Sequence, residues 1–472
     1  MKFGFYTLGC KTNQYETQAM EQLFASQGHE IVAFDKKCDG YIINTCSVTA
    51  VADKKNRAVI RRCRKENPDA VIGVCGCYTQ HDAPAVRALG VDVLGGSGSR
   101  EEFVELMIRA TQNLLLGEKV PNECEADEGQ ESDNPSSVKN RRFLPASPQG
   151  EALESLDNAL RRREFEILPA GGLDGRTRAM LKVQDGCTNF CSYCIIPYTR
   201  GPVRSAPLEL VVSQAKELAE KGYKEIVVTG IEIAGWGTDL PGKPPMSSML
   251  AAVCAAVPDL RIRLGSLEPR VVTREFCEEM AKYPNLCPQF HLSMQSGCDS
   301  VLARMKRKYD TARYAESVQL LREFFPGCAI TTDMIVAFPG ETEEEFAESL
   351  AFIQKCAFAD MHIFPYSRRP GTPADKMPGQ HNNATKEERS RRAIAIANEM
   401  NLAYRKALVG TVQEVLFEEA VDGFDTGHAP NYIKVYVPTK GRHNEIAPVR
   451  ITDLHGDGLL AEEIVNQSNP KR

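Results

Sequence analysis

Along residues 1–115, short apolar runs alternate with stretches whose apolar positions recur every three or four residues. Phe3-Gly4-Phe5-Tyr6-Thr7-Leu8, Gly40 to Thr45, Ala70 to Val74 and Gly90 to Leu94 read as strands. Gln14 to Gln27 reads as a helix with Tyr15, Ala19, Leu23 and Phe24 on one face and Gly28 as its stop. This order predicts a small open parallel sheet. From Arg176 to about Ser367 strand and helix alternate at least five times, with strands expected at Ala179 to Gln184, Glu225 to Thr229, Ile262 to Leu267, Gln289 to Met294 and Ile330 to Phe338. Helical patterns such as Leu208 to Lys221 lie between them, which predicts a barrel or partial barrel of parallel strands with chemistry at the carboxyl strand ends. After a charged helix, Lys386 to Arg405, come short strands at Thr411 to Phe417, Tyr432 to Val437 and Ala447 to Thr452, with turns at Asp422-Gly423 and Asp457-Gly458. They predict a small antiparallel β-barrel.

The fold class expected is therefore α/β: a parallel-sheet domain over 1–117, a partial (β/α) barrel over 176–408 and a β-barrel over 409–472. Residues 118–175 break the pattern with acidic and polar runs and read as a linker, in part disordered, with room for a helix across Glu151 to Arg163.

Composition narrows the setting. The 472 residues are 42% hydrophobic and 25% charged, ordinary for globular protein in several domains. The longest apolar run, Met249 to Val257, is far short of the roughly 20 residues of a membrane span, and Met1 to Phe5 shows no leader. Sixteen cysteines in such a chain point to a reducing cytoplasm, where clustered thiols serve metals or catalysis more often than disulfides. A net charge of -6 advertises no nucleic-acid partner. Charge is uneven, however: Lys54, Lys55, Arg57, Arg61, Arg62, Arg64 and Lys65 crowd one expected helix, and Arg304, Lys306, Arg307 and Lys308 another. Such runs are often plain solvated faces.

The densest chemistry is Asp185-Gly186-Cys187-Thr188-Asn189-Phe190-Cys191-Ser192-Tyr193-Cys194. A 4Fe-4S cluster normally takes four thiolates, so a compact Cys-x3-Cys-x2-Cys with no fourth cysteine nearby leaves one iron open for another ligand. A zinc ribbon is the alternative, and it would want a second Cys-x2-Cys knuckle that Ile195 to Tyr198 does not supply. Cys10, Cys46 and Cys77 each lie just past an expected strand, so three loops on one sheet edge could converge on a second three-thiolate site. Cys75 could compete with Cys77, while Cys38 and Cys63 fall mid-pattern and read as structural. In the central domain the strand ends carry Gly230, Glu232, Glu268 and Gln295, where glycine admits close backbone approach and a carboxylate suits an amino group or a ribose hydroxyl.

The triplet resembles the signature of the radical S-adenosylmethionine enzymes. The resemblance implies that S-adenosylmethionine chelates the open iron, that Tyr193 packs near its adenine, and that an electron from the cluster yields a deoxyadenosyl radical. It also makes Gly230, Glu232, Glu268 and Gln295 cofactor-binding strand ends, with Arg200 and Arg204 matching an Arg-Gly-x-x-Arg-Ser pattern. Thr188 stands where the family pattern has asparagine, at a non-ligand position. Leu8-Gly9-Cys10-Lys11-Thr12-Asn13-Gln14-Tyr15-Glu16, Asn44-Thr45-Cys46-Ser47-Val48 and Gly76-Cys77-Tyr78 look like the three cysteine motifs of the methylthiotransferase N-terminal domain, which selects Cys77 over Cys75. The resemblance then implies two 4Fe-4S clusters, held by Cys10, Cys46 and Cys77 and by Cys187, Cys191 and Cys194, and it makes the triplet and Cys77 catalytic. The opening motif is similar to the branch acting on threonylcarbamoyladenosine beside the tRNA anticodon. Its expected partners are tRNA and an electron donor such as flavodoxin or ferredoxin, with no membrane. The C-terminal stretch looks like the TRAM module, an RNA-binding barrel, although from Gly410 it holds ten acidic and six basic residues. Sibling branches acting on isopentenyladenosine or on a ribosomal protein, and a non-catalytic RNA-binding iron-sulfur protein, are the alternatives.

Overall fold

The computed structural model describes residues 1–116, 152–172 and 177–464, arranged as two compact units. The first comprises Met1–Arg162 together with Tyr198–Arg200; the second comprises Arg163–Pro197 and Gly201–Arg472. Most of the expected linker lies outside the described residues.

The first unit is a six-stranded parallel sheet in the order β2-β1-β3-β4-β5-β6. Its strands are β1 (Lys2–Thr7), β2 (Glu30–Val32), β3 (Gly40–Thr45), β4 (Val71–Gly76), β5 (Val93–Gly95) and β6 (Leu153–Ser155). Every residue of β3 and β4 is buried, as expected of central strands covered on both faces. One face is sealed by α1 (Lys11–Ser26) and by a long helix over Arg100–Leu116: Phe3, Met20, Phe24, Phe103 and Met107 pack together there. On the other, α2 (Ala50–Glu66) adds Ile60 and Cys63 to Tyr41, Ile43, Ile72 and Val74. Cys38 and Cys63 are core residues of this layer, as the pattern predicts. The helix expected over Glu151 to Arg163 does not form. Leu153–Ser155 pairs in parallel with β5, and only a single 3-10 turn, Ala159–Arg161, follows.

In the second unit the parallel strands β7 (Arg178–Lys182), β10 (Glu225–Thr229) and β11 (Arg261–Leu264) form one sheet, and β12 (Ser266–Leu267), β13 (Gln289–Leu292), β14 (Ala329–Val336) and β15 (Asp360–Pro365) another. Gly265 interrupts what would otherwise be one strand, so residues 261–267 belong to both sheets and join them into a partial barrel. A two-residue hairpin, β8 (Gln184–Asp185) with β9 (Arg204–Ser205), frames the loop that carries the cysteine triplet.

The chain ends in a closed five-stranded barrel of β16 (Val412–Val421), β17 (Phe424–His428), β18 (Lys434–Pro438), β19 (Glu445–His455) and β20 (Gly458–Glu463), in the order β16-β17-β18-β20-β19. Its pairings are antiparallel except for a parallel seam between β18 and β20, which completes the closure. The barrel is fastened to the sheet of β7, β10 and β11 by buried arginines. Arg261 donates to the carbonyls of Glu414 (2.7 Å) and His428 (3.2 Å). Arg263 is bidentate on Glu225 (2.7 and 2.9 Å) and donates to Pro430 O (2.9 Å). The guanidiniums of Arg178 and Arg263 both lie against the Tyr432 ring, at 5.2 and 4.6 Å. Among the described residues no helix is long and apolar enough to cross a membrane.

Candidate active site

Two cysteine sets are assembled, one in each unit. In the first unit β1, β3 and β4 are adjacent parallel strands, so the loops leaving their carboxyl ends converge. Cys10 caps α1, Cys46 directly follows β3, and Cys77 opens a short helix, Cys77–His81, after β4. Gly9 (φ 124°) and Gly76 (φ 104°) make the approach possible: a Cβ on Gly9 would stand 2.9 Å from Cys46 Cβ, and one on Gly76 2.4 Å from Thr45 O. Asn13 ties the loops together by donating to Leu8 O and Thr45 O (both 2.9 Å), while Asn56 of α2 donates to Cys46 O (2.6 Å).

The thiols feel one another. Burial first, and then Cys77 and Cys10, push the Cys46 thiol up to about 12. Cys10 is exposed at the rim, yet enough protein surrounds its sulfur that desolvation raises it too. Cys75 is elsewhere: it is fully buried in the core with Phe103 and Met107, and Gly76 turns the chain so that Cys77 does not share its direction.

Beneath this set lies a charge network that sequence reasoning missed. Glu16, fully buried, pairs with Arg100 (2.7 Å) and with Arg200, both also fully buried. Arg200 also donates to Asn13 Oδ1 (2.8 Å) and, through Nε, to Cys77 Sγ (3.3 Å). Two guanidiniums thus converge on one carboxylate, and one of them also reaches the Cys77 sulfur. A thiolate-bound, anionic cluster fits that donor set. Arg200, which the motif match grouped with the cofactor-binding strand ends, therefore belongs to the first unit's cysteines.

In the second unit the triplet loop is folded tightly on its own exit. Gly186 (φ 75°) has no room for a side chain, since a Cβ there would fall 1.9 Å from Pro202 O. Cys187 N donates to Gly201 O (3.0 Å) and Ser192 N to Met305 O (3.0 Å). Asp185 accepts from Gly186 N (2.7 Å), Lys182 (2.8 Å) and Arg204 (3.4 Å), so Arg204 sits buried under the loop rather than on its open side. Burial raises Cys187 to about 11 and Cys194 to about 12. Arg307 donates to Cys191 Sγ (3.2 Å) and to Tyr309 Oη (2.9 Å). It comes from the basic run at 304–308, which composition alone reads as surface; Arg304 in the same run is bidentate on Glu345.

Around the triplet, Glu232 is the least satisfied group. Its Oε1 is buried without a hydrogen-bond partner among the described residues, and desolvation, reinforced by Glu268 and opposed by Arg307, pushes its carboxyl up to about 7. Gly230 has its α-carbon face against Gln184, leaving no space for a Cβ. Glu268 is buried, and both its carboxylate oxygens accept from Arg270 Nε (2.8 and 3.1 Å). Gln295 holds a left-handed conformation (φ 68°) while bridging to β14. Tyr193 packs edge-on against Phe338 at 6.4 Å. A buried, unpaired carboxylate oxygen beside three thiols suits a ligand that brings its own donor.

The Radical SAM superfamily matches residues 181–353, and the family described as Uncharacterized protein family UPF0004 matches residues 2–95. The chain is 37% identical over 455 residues to a threonylcarbamoyladenosine tRNA methylthiotransferase, MtaB, of Bacillus subtilis, covering 95% of this chain and 93% of that protein. It is 32% identical to the protein of the same name from Thermotoga maritima, covering 96% and 95%. A tRNA-2-methylthio-N(6)-dimethylallyladenosine synthase of Bacillus subtilis is 32% identical, over 88% of this chain and 76% of its own. Among solved structures, the radical S-adenosylmethionine methyltransferase TsrM from Kitasatospora setae superposes with a TM-score of 0.54 at 14% identity, over 79% of this chain and 75% of that one, a likeness of fold.

Proposed function

This chain belongs to the radical S-adenosylmethionine methylthiotransferases, in the threonylcarbamoyladenosine tRNA branch, and from that premise we propose that it converts threonylcarbamoyladenosine beside the tRNA anticodon into its 2-methylthio derivative. The observation that carries the reading is a pair of separate three-cysteine sets, one on loops leaving adjacent parallel strands and one in the loop framed by the β8–β9 hairpin, on a chain similar to MtaB over 95% of its length. Sulfur insertion at an unactivated aromatic carbon has no easy polar route, so a radical source and a sulfur carrier are both required.

Cys187, Cys191 and Cys194 would hold the 4Fe-4S cluster that works with S-adenosylmethionine, and Cys10, Cys46 and Cys77 a second. When bound, the first supplies the electron that cleaves S-adenosylmethionine and the second supplies the sulfur. The chain's own residues set the stage. Arg307 and the Asn189 N–H (3.5 Å from Cys187 Sγ) direct donors at thiolate sulfur, which lowers the charge a reduced site must bear. Glu232 offers its unpaired oxygen to an ammonium or hydroxyl, Gly230 lets Gln184 pack against this strand end, and Glu268, Gln295 and Tyr193 complete the cofactor wall. Arg204 acts from beneath, holding Asp185 and with it the loop. A one-electron donor such as flavodoxin or ferredoxin and a cytoplasmic setting complete the reading. TRAM-like RNA contacts by the barrel belong to it as well.

The test is nucleoside analysis. tRNA from a strain lacking this chain should lose 2-methylthio-threonylcarbamoyladenosine and regain it on complementation. Loss instead of 2-methylthio-isopentenyladenosine, or of a ribosomal-protein modification, would assign the chain to a sibling branch.

A further inference from the structure

α2 carries seven cations against two acids, and the structure separates them by use. Arg57 donates to Tyr78 Oη (3.0 Å), and Arg64 is spent on Asp92 and on the carbonyls of Gly90 (3.0 Å) and Ala70 (2.9 Å). Lys54, Lys55, Arg61, Arg62 and Lys65 are exposed, and among the described residues none has a hydrogen bond or ion pair. At 100° per residue these five fall within a stripe about 120° wide, opposite the buried Asp53, Asn56, Ile60 and Cys63. Arg61 and Lys65 are one turn apart and repel by a few tenths of a kcal/mol. An ordinary solvated face would intersperse carboxylates, yet Asp53 is buried and Glu66 stands at the helix end.

The stripe has a definite place. It starts at the loop of Cys46: Thr49 caps α2 by accepting from Ala52 N (3.1 Å), and Asn56 holds Cys46 O, so loop and helix form one frame. Val48 and Val51, 57% and 61% exposed, lie at this end, Val51 on the stripe itself. From Lys54 to Lys65 the row extends about 16 Å, a length over which an RNA strand presents several phosphates. Elsewhere the balance is the reverse, with a chain of net charge -6 and an acidic C-terminal barrel.

We propose that this face of α2 is the phosphate-binding surface for tRNA, contacting the anticodon-arm backbone beside the Cys46 loop. The proposal rests on the tRNA reading above. The sulfur-bearing loop and the phosphate row are then parts of one rigid element, so gripping the backbone also sets the base's approach.

The test uses full-length, iron-reconstituted protein and tRNA lacking the methylthio group, with binding followed by fluorescence anisotropy across a KCl series. Replacing all five with glutamine should reduce the slope of log K against log salt by about 3.5 to 4.5, at about 0.7–0.9 for each phosphate no longer neutralised. Affinity near 0.1 M salt should fall at least ~10-fold. Iron content and tRNA-free deoxyadenosine release should stay at wild-type values. Replacing the exposed Lys216, Lys282 and Lys355 of the second unit instead should leave the slope within about one unit. An unchanged slope in the five-site variant, against a steep wild-type slope, overturns the surface and leaves the tRNA reading standing. Failure of the wild type itself to bind tRNA overturns both. If the variant keeps its tRNA slope but loses wild-type binding to anionic phospholipid vesicles, the stripe belongs to a membrane and the proposal falls.

Discussion

Glu16→Gln is the most informative single change in the first unit. It keeps the shape of the side chain and removes the one carboxylate that Arg100 and Arg200 share, with all three side chains at 0% exposure. Removing one partner of a buried pair costs about 3–5 kcal/mol, because two guanidiniums in a dry site lose the carboxylate they share. At a urea m-value of ~2 kcal/mol/M this moves the first unit's midpoint down by roughly 2 M. The two units can be read apart. Trp236, the single tryptophan, is buried in the second unit with its indole N–H on Ala206 O (3.0 Å), so its fluorescence transition should not move. Far-ultraviolet circular dichroism should acquire an early transition. Adding Arg100→Met should return part of the loss, since one of the two cations that shared the carboxylate goes with it. A midpoint within ~0.3 M of wild type would mean that water reaches the network, and the buried-charge reasoning would be wrong.

Triple alanine replacement of either cysteine set should halve an iron content of about eight per chain. Loss of Cys187, Cys191 and Cys194 should abolish deoxyadenosine, whereas loss of Cys10, Cys46 and Cys77 should leave uncoupled deoxyadenosine and no methylthio product; one intact set sufficing for product would refute the division. Cys75→Ala should retain activity in a nucleoside assay and Cys77→Ala lose it, and the opposite pattern would show the wrong cysteine was chosen. Glu232 is raised from 4.5 to about 7, so the folded unliganded chain is penalised as pH climbs through that window, by at most about 3 kcal/mol above it, and is not penalised below 4.5. Glu232→Gln should therefore stabilise the iron-free second unit at pH 8 and leave it unchanged at pH 4, as measured by urea unfolding; equal effects at both values would mean the carboxyl titrates normally.

Periodicity made the sheet of the first unit and the strand ends of the second legible, because alternation of apolar runs with helical patterns is a local property. What escaped it depends on partners distant in sequence. Leu153–Ser155 is a three-residue segment too short to show a period, and it becomes a strand because β5 offers an open parallel edge. β15 went unmarked in the same way, its exposed residues Asp360, His362 and Phe364 masking the alternation. Glu16, Arg100 and Arg200 are 84 and 184 residues apart, and no local window joins them. Arg307 sits in a basic run indistinguishable by composition from α2, yet one run supplies a donor to a thiol and the other stays in solvent. Spacing singled out the compact triplet, whereas Cys10, Cys46 and Cys77, far apart in the chain, were joined only by the motif resemblance and by their places after adjacent strands.

The arginine row that joins the C-terminal barrel to β10 and β11 limits how that barrel can be studied. Cutting the chain at Gly410 would take away Tyr432 and the carbonyls of Glu414, His428 and Pro430, and would strand Arg261 and Arg263 on a newly bared sheet edge. A truncated protein that fails on tRNA would then report a damaged catalytic domain as readily as a missing RNA-binding surface. The barrel is less an appendage than a side wall of the enzyme, and whether it touches RNA has to be probed from its outer strands, one residue at a time.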